Sequence, residues 1–269
     1  MSKLTISQHI STEWRSYAEY VIYNRGIPSF YDGMTNVQRV LLDNAPTSHT
    51  KSIAVVGSAI KSGYHHGNAS LENALNGMAK DFNCSEPLLN GEGFFGSPVS
   101  DEAAAARYTA VKISGNIKKL VDEFSVLNTK NEEGFPNVLH VKVPVGLVSN
   151  NTGIAVGFKS YILPRKLEDI ENYLNGKAKR AKPYFMNFTG KIIEHPEFPD
   201  SWLISGDYHV ESKRNKHAIT ITEIPVTEKY ESLVNKINTF LEKKNISSIK
   251  ISNESQIKVK IALETKDAK

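Results

Sequence analysis

The sequence predicts an α+β protein in which a helical N-terminal half is followed by a strand-rich C-terminal half, with the division near residue 150. Up to about residue 80, apolar residues recur at spacings of three and four, the period of a helix that buries one face. From about residue 138, apolar residues instead alternate with polar ones, as in a half-buried strand. No internal repeat is present, so the two halves are expected to have different structures.

The helices of the first half are predicted from their caps and breakers. Thr12 is a predicted cap, and so is Thr35 (or Asn36), because a side-chain oxygen there can accept a hydrogen bond from a first-turn N–H. Gly26, with a proline two residues later, ends the first helix. The predicted helices span about residues 12–24, 35–42, 50–63 and 70–80. Short helices joined by tight turns are typical of a helix-turn-helix or winged-helix module.

Residues 101–108, Asp-Glu-Ala-Ala-Ala-Ala-Arg-Tyr, are predicted to form a further helix that carries Arg107 and Tyr108 at its end. Ser100 can cap it, alanine has high helix propensity, and the helix dipole favours acidic residues in the first turn. A phenol beside a guanidinium can act as a nucleophile toward phosphate. A helix end with a half-buried tyrosine and a solvated arginine is the alternative, and the pair alone does not decide between them.

The second half is predicted to be mainly strands. The alternation of apolar and polar residues is most regular near the end of this half, at residues 257–263. The predicted strands lie near 139–143, 192–193, 202–210, 218–224 and 257–263, the predicted helices near 166–175 and 227–244, and a glycine-bounded apolar segment at 153–157.

Composition indicates a soluble intracellular protein. Its 269 residues, 40% of them hydrophobic, suffice for one large or two modest domains. The net charge of +4 permits a nucleic-acid partner without requiring one. A single cysteine, Cys84, excludes an internal disulfide and a multi-cysteine zinc site, and it is typical of a reducing cytosol. Neither a signal peptide nor a membrane-spanning run is evident, so a cytoplasmic location is expected.

Patterns that would bind a nucleotide or a metal in this chain are excluded. Gly91-Glu-Gly-Phe-Phe-Gly96 satisfies GxGxxG, but a dinucleotide site needs a strand before these glycines and a helix starting within them. We expect instead a tight loop that packs under the predicted helix at 101–108. Because neither a P-loop nor a dense carboxylate cluster occurs, any phosphoryl chemistry would take its metal and nucleotide from another chain.

Imidazoles and cations around the predicted helix-turn-helix are candidate phosphate contacts. In Tyr64-His65-His66-Gly67 the adjacent histidines do not share a helical face, so a metal pair is not expected, whereas a neutral imidazole can bind a phosphate oxygen. An exposed turn with incidental histidines is the alternative. Arg25, Arg39 and Lys51 lie around the same helices. Residues 177–182, Lys-Ala-Lys-Arg-Ala-Lys, form a second basic cluster, either a solvated loop or a DNA contact.

Together and in this order, these motifs resemble the DNA-breakage (gyrase A-like) subunit of type IIA DNA topoisomerases. The motifs that carry the resemblance are Ile27-Pro-Ser-Phe-Tyr-Asp-Gly33, Val37-Gln-Arg39, Tyr64-His-His-Gly67, Asn90-Gly-Glu-Gly-Phe-Phe-Gly96, Ala103-Ala-Ala-Ala-Arg-Tyr108, Gly153-Ile-Ala-Val-Gly157 and Ile221-Thr-Glu-Ile-Pro225. Within the family, this combination of motifs is similar to that of the separate DNA-breakage subunit of phage enzymes. This likeness implies a location in the host cytoplasm.

The resemblance implies a role for each matched residue. Tyr108 is implied to attack a DNA phosphodiester and to become joined to the 5′ phosphate, with Arg107 supplying positive charge. Arg25 and His66 match residues around the scissile phosphate. Arg39 matches a DNA-backbone contact. His65 and Lys51 are further candidate DNA contacts, and Ile192 is implied to be a wedge that enters the base stack and bends the duplex.

The resemblance also implies a domain organisation and partners. Residues 1–27 would form an N-terminal helical arm, 28–150 a winged-helix DNA-gate domain, and 151–269 part of an α/β tower domain. The chain is expected to stop before the rest of the tower and the coiled-coil exit gate. Mg²⁺ and ATP are expected on a partner subunit with toprim and ATPase domains. The expected assembly is a homodimer on double-stranded DNA within a heteromeric complex.

Departures from the family pattern remove positive charge. Thr35 stands where the family usually has a lysine, and Val40 stands where bacterial enzymes have a second basic residue. Ala69 occupies the position of the quinolone-contact serine, so poor quinolone sensitivity is expected. The alternative function is a non-catalytic winged-helix DNA-binding or architectural protein, against which the presence of Tyr108, Arg107 and His66 argues.

Overall fold

The computed structural model describes residues 5–130, 132, 134, 136–199, 201–213, 216–244, 248–252 and 258–264. Contacts between Cα atoms divide the chain into two compact units. The first, called the helical unit, contains the residues up to Phe95 together with Ala104–Tyr184. The second, called the strand unit, contains Gly96–Ala103 and the residues from Phe185 onward.

The helical unit is built from six α-helices and several short strands among the described residues. The helices are α1 (Ile6–Val21), α2 (Asn36–Asp43), α3 (Ser52–Lys61), α4 (Asn68–Ala79), α5 (Gly115–Asp122) and α6 (Leu167–Leu174). A π-helical turn, Ile22–Gly26, continues α1, and 3₁₀ turns lie at Ser125–Leu127 and Val145–Val148. The strands are β1 (Thr50–Lys51), β2 (Leu89–Glu92), β3 (Ala110–Ile113), β4 (Asn151–Ala155) and β5 (Phe158–Ile162).

One hydrophobic core joins the helices of this unit to its sheet. The strands β1, β3 and β2 form an antiparallel sheet with β3 in the centre. Buried residues from α2, α3, α4 and β3 pack together in the core, including Leu41, Val56, Leu71, Leu75 and Val111. The helical spacing of these residues in the sequence is therefore explained by one shared core.

Capping boxes account for where α1 and α2 begin. Thr35 precedes α2 and forms a reciprocal capping box with Gln38, so the departure from the family's lysine has a local structural use. The predicted cap Thr12 is wrong, because α1 begins at Ile6 after a capping box between Thr5 and Gln8. Thr12 lies inside α1, where its hydroxyl donates to the Gln8 carbonyl oxygen at 2.8 Å.

The predicted helix over residues 101–108 is wrong. Residues 101–105 have no regular structure, and a turn follows over 106–108. The Ala104 N–H donates to the Phe94 carbonyl oxygen at 2.9 Å, and the Ala106 carbonyl accepts from Ile53 N–H at 3.2 Å. These long-range bonds replace helical ones, because alanine's helix propensity is a weak preference that tertiary contacts override.

The predicted strand near residues 139–143 is also absent from the described structure. The alternation is real, since Leu139 and Val143 are buried while His140 is exposed and Lys142 is largely so. No described strand pairs with this segment, and the Leu139 N–H donates instead to Asp32 Oδ2 at 3.0 Å. Alternating burial therefore arises here without a sheet.

The glycine-bounded segment at 153–157 forms most of β4 and its turn, and β4 pairs with β5 in a hairpin. A Cβ at residue 153 would overlap the Gly26 carbonyl oxygen, so glycine is required for this close approach. Ser160 Oγ donates to the same carbonyl oxygen at 2.5 Å. Because this hairpin packs on the π-helical turn, the contacts divide the chain after Tyr184 rather than near residue 150.

The strand unit is mostly antiparallel sheet. Strands are present near the predicted 192–193 and 218–224, whereas the single strand predicted at 202–210 is two strands separated by Gly206, in different sheets. The strands β6 (Lys191–Glu194) and β7 (Trp202–Ser205) pair as a hairpin. A second sheet has the order β10-β11-β9-β8 and consists of β8 (Asp207–Lys213), β9 (Lys216–Glu223), β10 (Ser248–Ser252) and β11 (Lys258–Glu264). The helix α7 spans Tyr230–Lys244. Of the strand predicted at 257–263, residue 257 lies outside the described residues.

The only cysteine of the sequence is a buried thiol, and it gives a test of this packing. Cys84 is completely buried, and its Sγ lies 3.1 Å from the Lys80 carbonyl oxygen. Burial raises the pKa of the Cys84 thiol to about 12, with the carboxylates of Asp81 and Glu86 adding to the rise. We expect no labelling by a thiolate-specific reagent at pH 8 in the native protein and complete labelling in denaturant, because the thiolate is the reactive form. Labelling is measured by mass spectrometry, and rapid labelling of Cys84 in the native protein would contradict this packing.

Among the described helices, none combines the length and the apolar character needed to cross a membrane.

Candidate active site

Tyr108 lies on an exposed turn at the entrance to the central strand of the sheet. The turn over residues 106–108 leads directly into β3, and the Tyr108 N–H donates to the Ala105 carbonyl oxygen at 2.8 Å. The side chain is 70% exposed, and no hydrogen bond to its hydroxyl exists among the described residues. A nucleophile that must reach a macromolecular substrate needs this exposure.

The backbone on both sides of Tyr108 is anchored to the first turn of α3. The Ala106 carbonyl accepts from Ile53 N–H at 3.2 Å, and the Thr109 carbonyl accepts from Ser52 N–H at 3.0 Å. The first N–H groups of a helix have no partner within the helix, so these carbonyls satisfy them. An exposed side chain is thus mounted on a firmly bonded backbone.

The glycine loop after β2 also packs against this turn. Gly93 has φ +104°, and a Cβ there would lie 3.3 Å from the Tyr108 carbonyl oxygen. Gly91 belongs to β2, and a Cβ there would overlap the Phe95 ring. The predicted tight loop is therefore present, but it lies under a turn rather than under a helix.

Arg107 provides a cation beside the phenol. Its Cζ lies 5.9 Å from the centroid of the Tyr108 ring, within cation–π range, and the side chain is exposed. A guanidinium next to the hydroxyl can contact the same anion as the phenol.

Arg25 and His66, 41 residues apart in sequence, form a second pair. Arg25 Nη2 lies 3.3 Å from His66 Nδ1, and both side chains are exposed. Because a guanidinium only donates, a hydrogen bond between these two atoms needs Nδ1 as the acceptor, which a neutral ring with its proton on Nε2 would provide. The Tyr64 ring meets the His66 ring edge-on at 5.2 Å between centroids and steadies it. The exposed guanidinium of Arg25 has further N–H donors beyond this contact, so this pair is a candidate contact for an anion.

His65 and Lys51 are both exposed in the helical unit. His65 lies beside His66 in the turn between α3 and α4. Lys51, in β1, pairs with Ala110 of β3, which places it across the sheet from the residues that follow Tyr108. Their predicted contacts with DNA stay predictions, and their exposure leaves them accessible to a partner.

Arg39 differs from the other candidates, because its side chain faces the protein interior. The residue is 2% exposed, and its Nε lies 2.7 Å from Asp32 Oδ2. Further bonds from the guanidinium go to Asp32 Oδ1, Asn36 Oδ1 and the Met34 carbonyl oxygen, at 3.3, 2.8 and 3.1 Å. A direct contact of Arg39 with DNA would require these bonds to break, so the geometry gives this residue a structural role.

Ile192 lies in the strand unit, on the β6–β7 hairpin. It is half-buried and pairs with Ile204, whereas its neighbour Ile193 is 56% exposed. The prediction that Ile192 is a wedge stays a prediction. On the hairpin as described, Ile193 is the isoleucine more available to a partner.

The basic cluster at 177–182 is a segment anchored near its C-terminal end. Lys177, Lys179 and Lys182 are exposed. Arg165 Nε donates to the Ala181 carbonyl oxygen at 3.1 Å, and burial lowers the pKa of Arg165. The segment is held to the helical unit while its first lysines face solvent.

Sequence reasoning missed three residues that organise this region. Asp32 is fully buried and neutralises Arg39, although an Asp-Gly pair ordinarily indicates an exposed turn. Ser52 and Thr109 are fully buried and bonded to each other beside Tyr108. The one sequence signal that could have indicated such a residue is the position of Thr109, directly after the candidate nucleophile Tyr108.

The fold is that of a mixed α/β protein whose helical unit carries an exposed Arg107–Tyr108 pair and an exposed Arg25–His66 pair. A solved structure with this fold is the DNA-binding, cleavage and re-ligation domain of Plasmodium falciparum topoisomerase II, with a TM-score of 0.81 and 25% identity. The match covers 97% of this chain and 38% of that one.

The family model for the gyrase A-type subunits of DNA gyrase and topoisomerase IV matches residues 25–269, and the chain belongs to that family. The DNA topoisomerase medium subunit of Enterobacteria phage T4 is 32% identical over 249 residues, which cover 87% of this chain and 55% of that protein. The gyrase A protein of Campylobacter jejuni is 31% identical over 267 residues, which cover 86% of this chain and 30% of that protein. The chain thus spans between about a third and about half of these relatives.

Proposed function

We propose that this chain is the DNA-cleaving and rejoining part of a type II DNA topoisomerase, with Tyr108 as the nucleophile. The observation that carries the proposal is the exposed Tyr108 hydroxyl beside Arg107, on a backbone turn bonded to α3, in a chain of the gyrase A family. Cleavage of both strands, one by each copy of the chain, would allow another duplex to pass before the breaks are resealed.

The proposed reaction is a transesterification. The Tyr108 oxygen loses its proton and forms a bond to a DNA phosphorus, and the bond from that phosphorus to the 3′ oxygen breaks. The 3′ oxygen takes up a proton, and the 5′ phosphate stays on the tyrosine. Religation is the reverse, and because one phosphoester replaces another, it needs no energy source.

Arg107, Arg25 and His66 would stabilise the charge that develops on the phosphate oxygens. Donors that are in place before the reaction contribute most, because they need little reorganisation as charge builds up. The Arg25–His66 contact supports this role, since it holds the two side chains together in the absence of DNA. Lys51 and His65 would add contacts to neighbouring phosphates.

The proposal places Mg²⁺ and ATP on a partner subunit with toprim and ATPase domains. Among the described residues, no group of three or more His, Cys, Asp or Glu side chains could hold a metal ion. The chain would act as a homodimer within that complex, on double-stranded DNA in the cytoplasm, which is a host cytoplasm if the source is a phage.

The domain assignment is also part of the proposal. The helices α2, α3 and α4 with the β1-β3-β2 sheet would be the winged-helix DNA-gate domain, after an N-terminal arm. The strands of the strand unit, from Phe185 onward, would belong to the tower, in which Ile192 would be the wedge that bends the duplex.

The test is to trap and map the covalent link. The chain is incubated with its toprim/ATPase partner, Mg²⁺ and duplex DNA, and the reaction is stopped with detergent. With a 3′ end label on the cleaved strand, the label is expected to migrate with the protein, whereas a 5′ label is released on a fragment with a 3′ hydroxyl. After digestion, mass spectrometry is expected to find the nucleotide on the peptide that contains Tyr108.

A nucleotide on any other residue would overturn the assignment of Tyr108. DNA binding without any adduct, when the partner is active with another DNA-cleaving subunit, would favour the rival function of a non-catalytic DNA-binding protein. Retention of the 5′ label rather than the 3′ label would reverse the proposed polarity of cleavage.

A further inference from the structure

Two fully buried hydroxyl groups lie directly behind the turn that carries Tyr108. Thr109 Oγ1 donates to Ser52 Oγ at 2.7 Å, and both residues have no exposed surface. The Ser52 N–H also donates to the Thr109 carbonyl oxygen at 3.0 Å. Residue 109 is therefore bonded to the first residue of α3 through its backbone and through its side chain.

The placement of the Tyr108 hydroxyl depends on this backbone, because nothing described in the structure bonds the hydroxyl itself. The phenol is 70% exposed, so side-chain packing restrains it little. The position of the phenol therefore depends on the position of the Tyr108 Cα. The hydrogen bonds to the carbonyls of residues 106 and 109 and the hydrogen bond of the Thr109 hydroxyl fix that position. A shift of the peptide between residues 108 and 109 would move the phenol with it.

We propose that Ser52 and Thr109 are positioning residues for the DNA-cleavage step, and this inference rests on the proposed function. Their hydroxyl pair locks the peptide that follows Tyr108 to the N-terminal end of α3. The nucleophile is thereby held at one angle while its side chain remains free to meet the phosphate. Neither hydroxyl touches DNA, since both are enclosed by protein.

A purely structural role makes a different prediction. If the pair only stabilises the fold, its loss lowers the melting temperature and leaves the rate of cleavage by the folded protein unchanged. If the pair positions Tyr108, its loss slows cleavage even where the variant is fully folded and binds DNA normally. A displacement of about 1 Å is enough to reduce a rate by about 100-fold.

The test uses variants that separate the hydroxyl from the shape of the side chain. Thr109→Val keeps the shape and removes the hydroxyl, Thr109→Ser keeps the hydroxyl and removes the methyl group, and Ser52→Ala removes the acceptor. Thr12→Val is the matched control, because the Thr12 hydroxyl bonds only within α1. The rate of adduct formation at saturating DNA, the DNA affinity and the melting curve are measured for each, with the partner subunit present in the cleavage assay.

Thr109→Val and Ser52→Ala are each expected to slow adduct formation by about 10- to 100-fold with unchanged DNA affinity. The double variant should be no slower than either single one, because one bond is lost in all three. Thr109→Ser should cleave close to the wild-type rate, and so should Thr12→Val.

Wild-type cleavage by folded Thr109→Val would overturn the inference and leave the proposed function intact. A Thr109→Ser variant as slow as Thr109→Val would also overturn it, because the methyl group rather than the hydroxyl would then be required. If wild-type protein forms no adduct at all, the proposed function fails first and the inference falls with it.

Discussion

Replacing Tyr108 by phenylalanine is expected to abolish the covalent protein–DNA adduct while leaving the fold and DNA binding unchanged. The variant removes one oxygen, and within the described structure that oxygen accepts and donates no hydrogen bond. No bond inside the protein is therefore lost. The proposed reaction, in contrast, loses its nucleophilic atom. We therefore expect the cleavage rate to fall by at least about 10⁴-fold, as when a covalent enzyme loses its nucleophile.

The measurement is a detergent-trapped cleavage assay beside a binding assay and a melting curve. Tyr173→Phe, at an exposed tyrosine of α6 that is 52% exposed, is the matched control and should cleave as wild type does. An adduct that persists in Tyr108→Phe would show that another residue attacks the phosphate. Loss of the adduct together with a lower melting temperature would contradict the view that the hydroxyl has no structural partner.

The regular helices could be predicted from the sequence because their signals are local. The helices α2, α3 and α4 each bury residues at helical spacing, and α2 begins one residue after its predicted cap Thr35. A cap and an apolar face lie within one segment of chain, so no knowledge of the rest of the protein is needed. The misplaced cap at Thr12 fits the same explanation, since Thr5 offers an equally local signal seven residues earlier.

The segment that carries Tyr108 could not be predicted because its conformation is decided by distant residues. Its bonds go to Phe94 of the glycine loop and to Ser52 and Ile53 of α3. The helix propensity of four alanines is a small free-energy preference. Tertiary hydrogen bonds and packing of this kind can override it. The same holds for Leu139, whose N–H is taken by Asp32 rather than by a neighbouring strand.

The sequence could indicate candidate residues for the site, but not how they are arranged. The sequence could mark Arg25 and His66, yet only the fold brings them to 3.3 Å. Arg39 shows the converse, because a basic residue beside a predicted DNA-binding helix proves to be buried against a carboxylate. Charge type is visible in a sequence, whereas burial and pairing depend on contacts across many residues.

Asp32→Asn is expected to destabilise the protein by about 3–5 kcal/mol, because it removes the counter-charge of a buried arginine. Asp32 Oδ1 accepts from Met34 N–H at 2.9 Å and from Arg39 Nη2 at 3.3 Å, and Oδ2 accepts from Arg39 Nε at 2.7 Å and from Leu139 N–H at 3.0 Å. An asparagine amide keeps the shape but offers one acceptor oxygen, so its NH₂ group must face donors.

Equilibrium unfolding in urea measures this loss, and Asp43→Asn is the matched control. Asp43 Oδ2 lies 3.2 Å from Lys130 Nζ, and the lysine side chain is 59% exposed, so this substitution should cost at most about 1 kcal/mol. Since a domain is stable by only about 5–15 kcal/mol, Asp32→Asn should also lower the urea midpoint well below that of the control. Equal midpoints for the two variants would mean that solvent reaches the guanidinium of Arg39. The residue would then be free to contact DNA, as the resemblance to type IIA topoisomerases implies, and its burial against Asp32 would describe only one of its states.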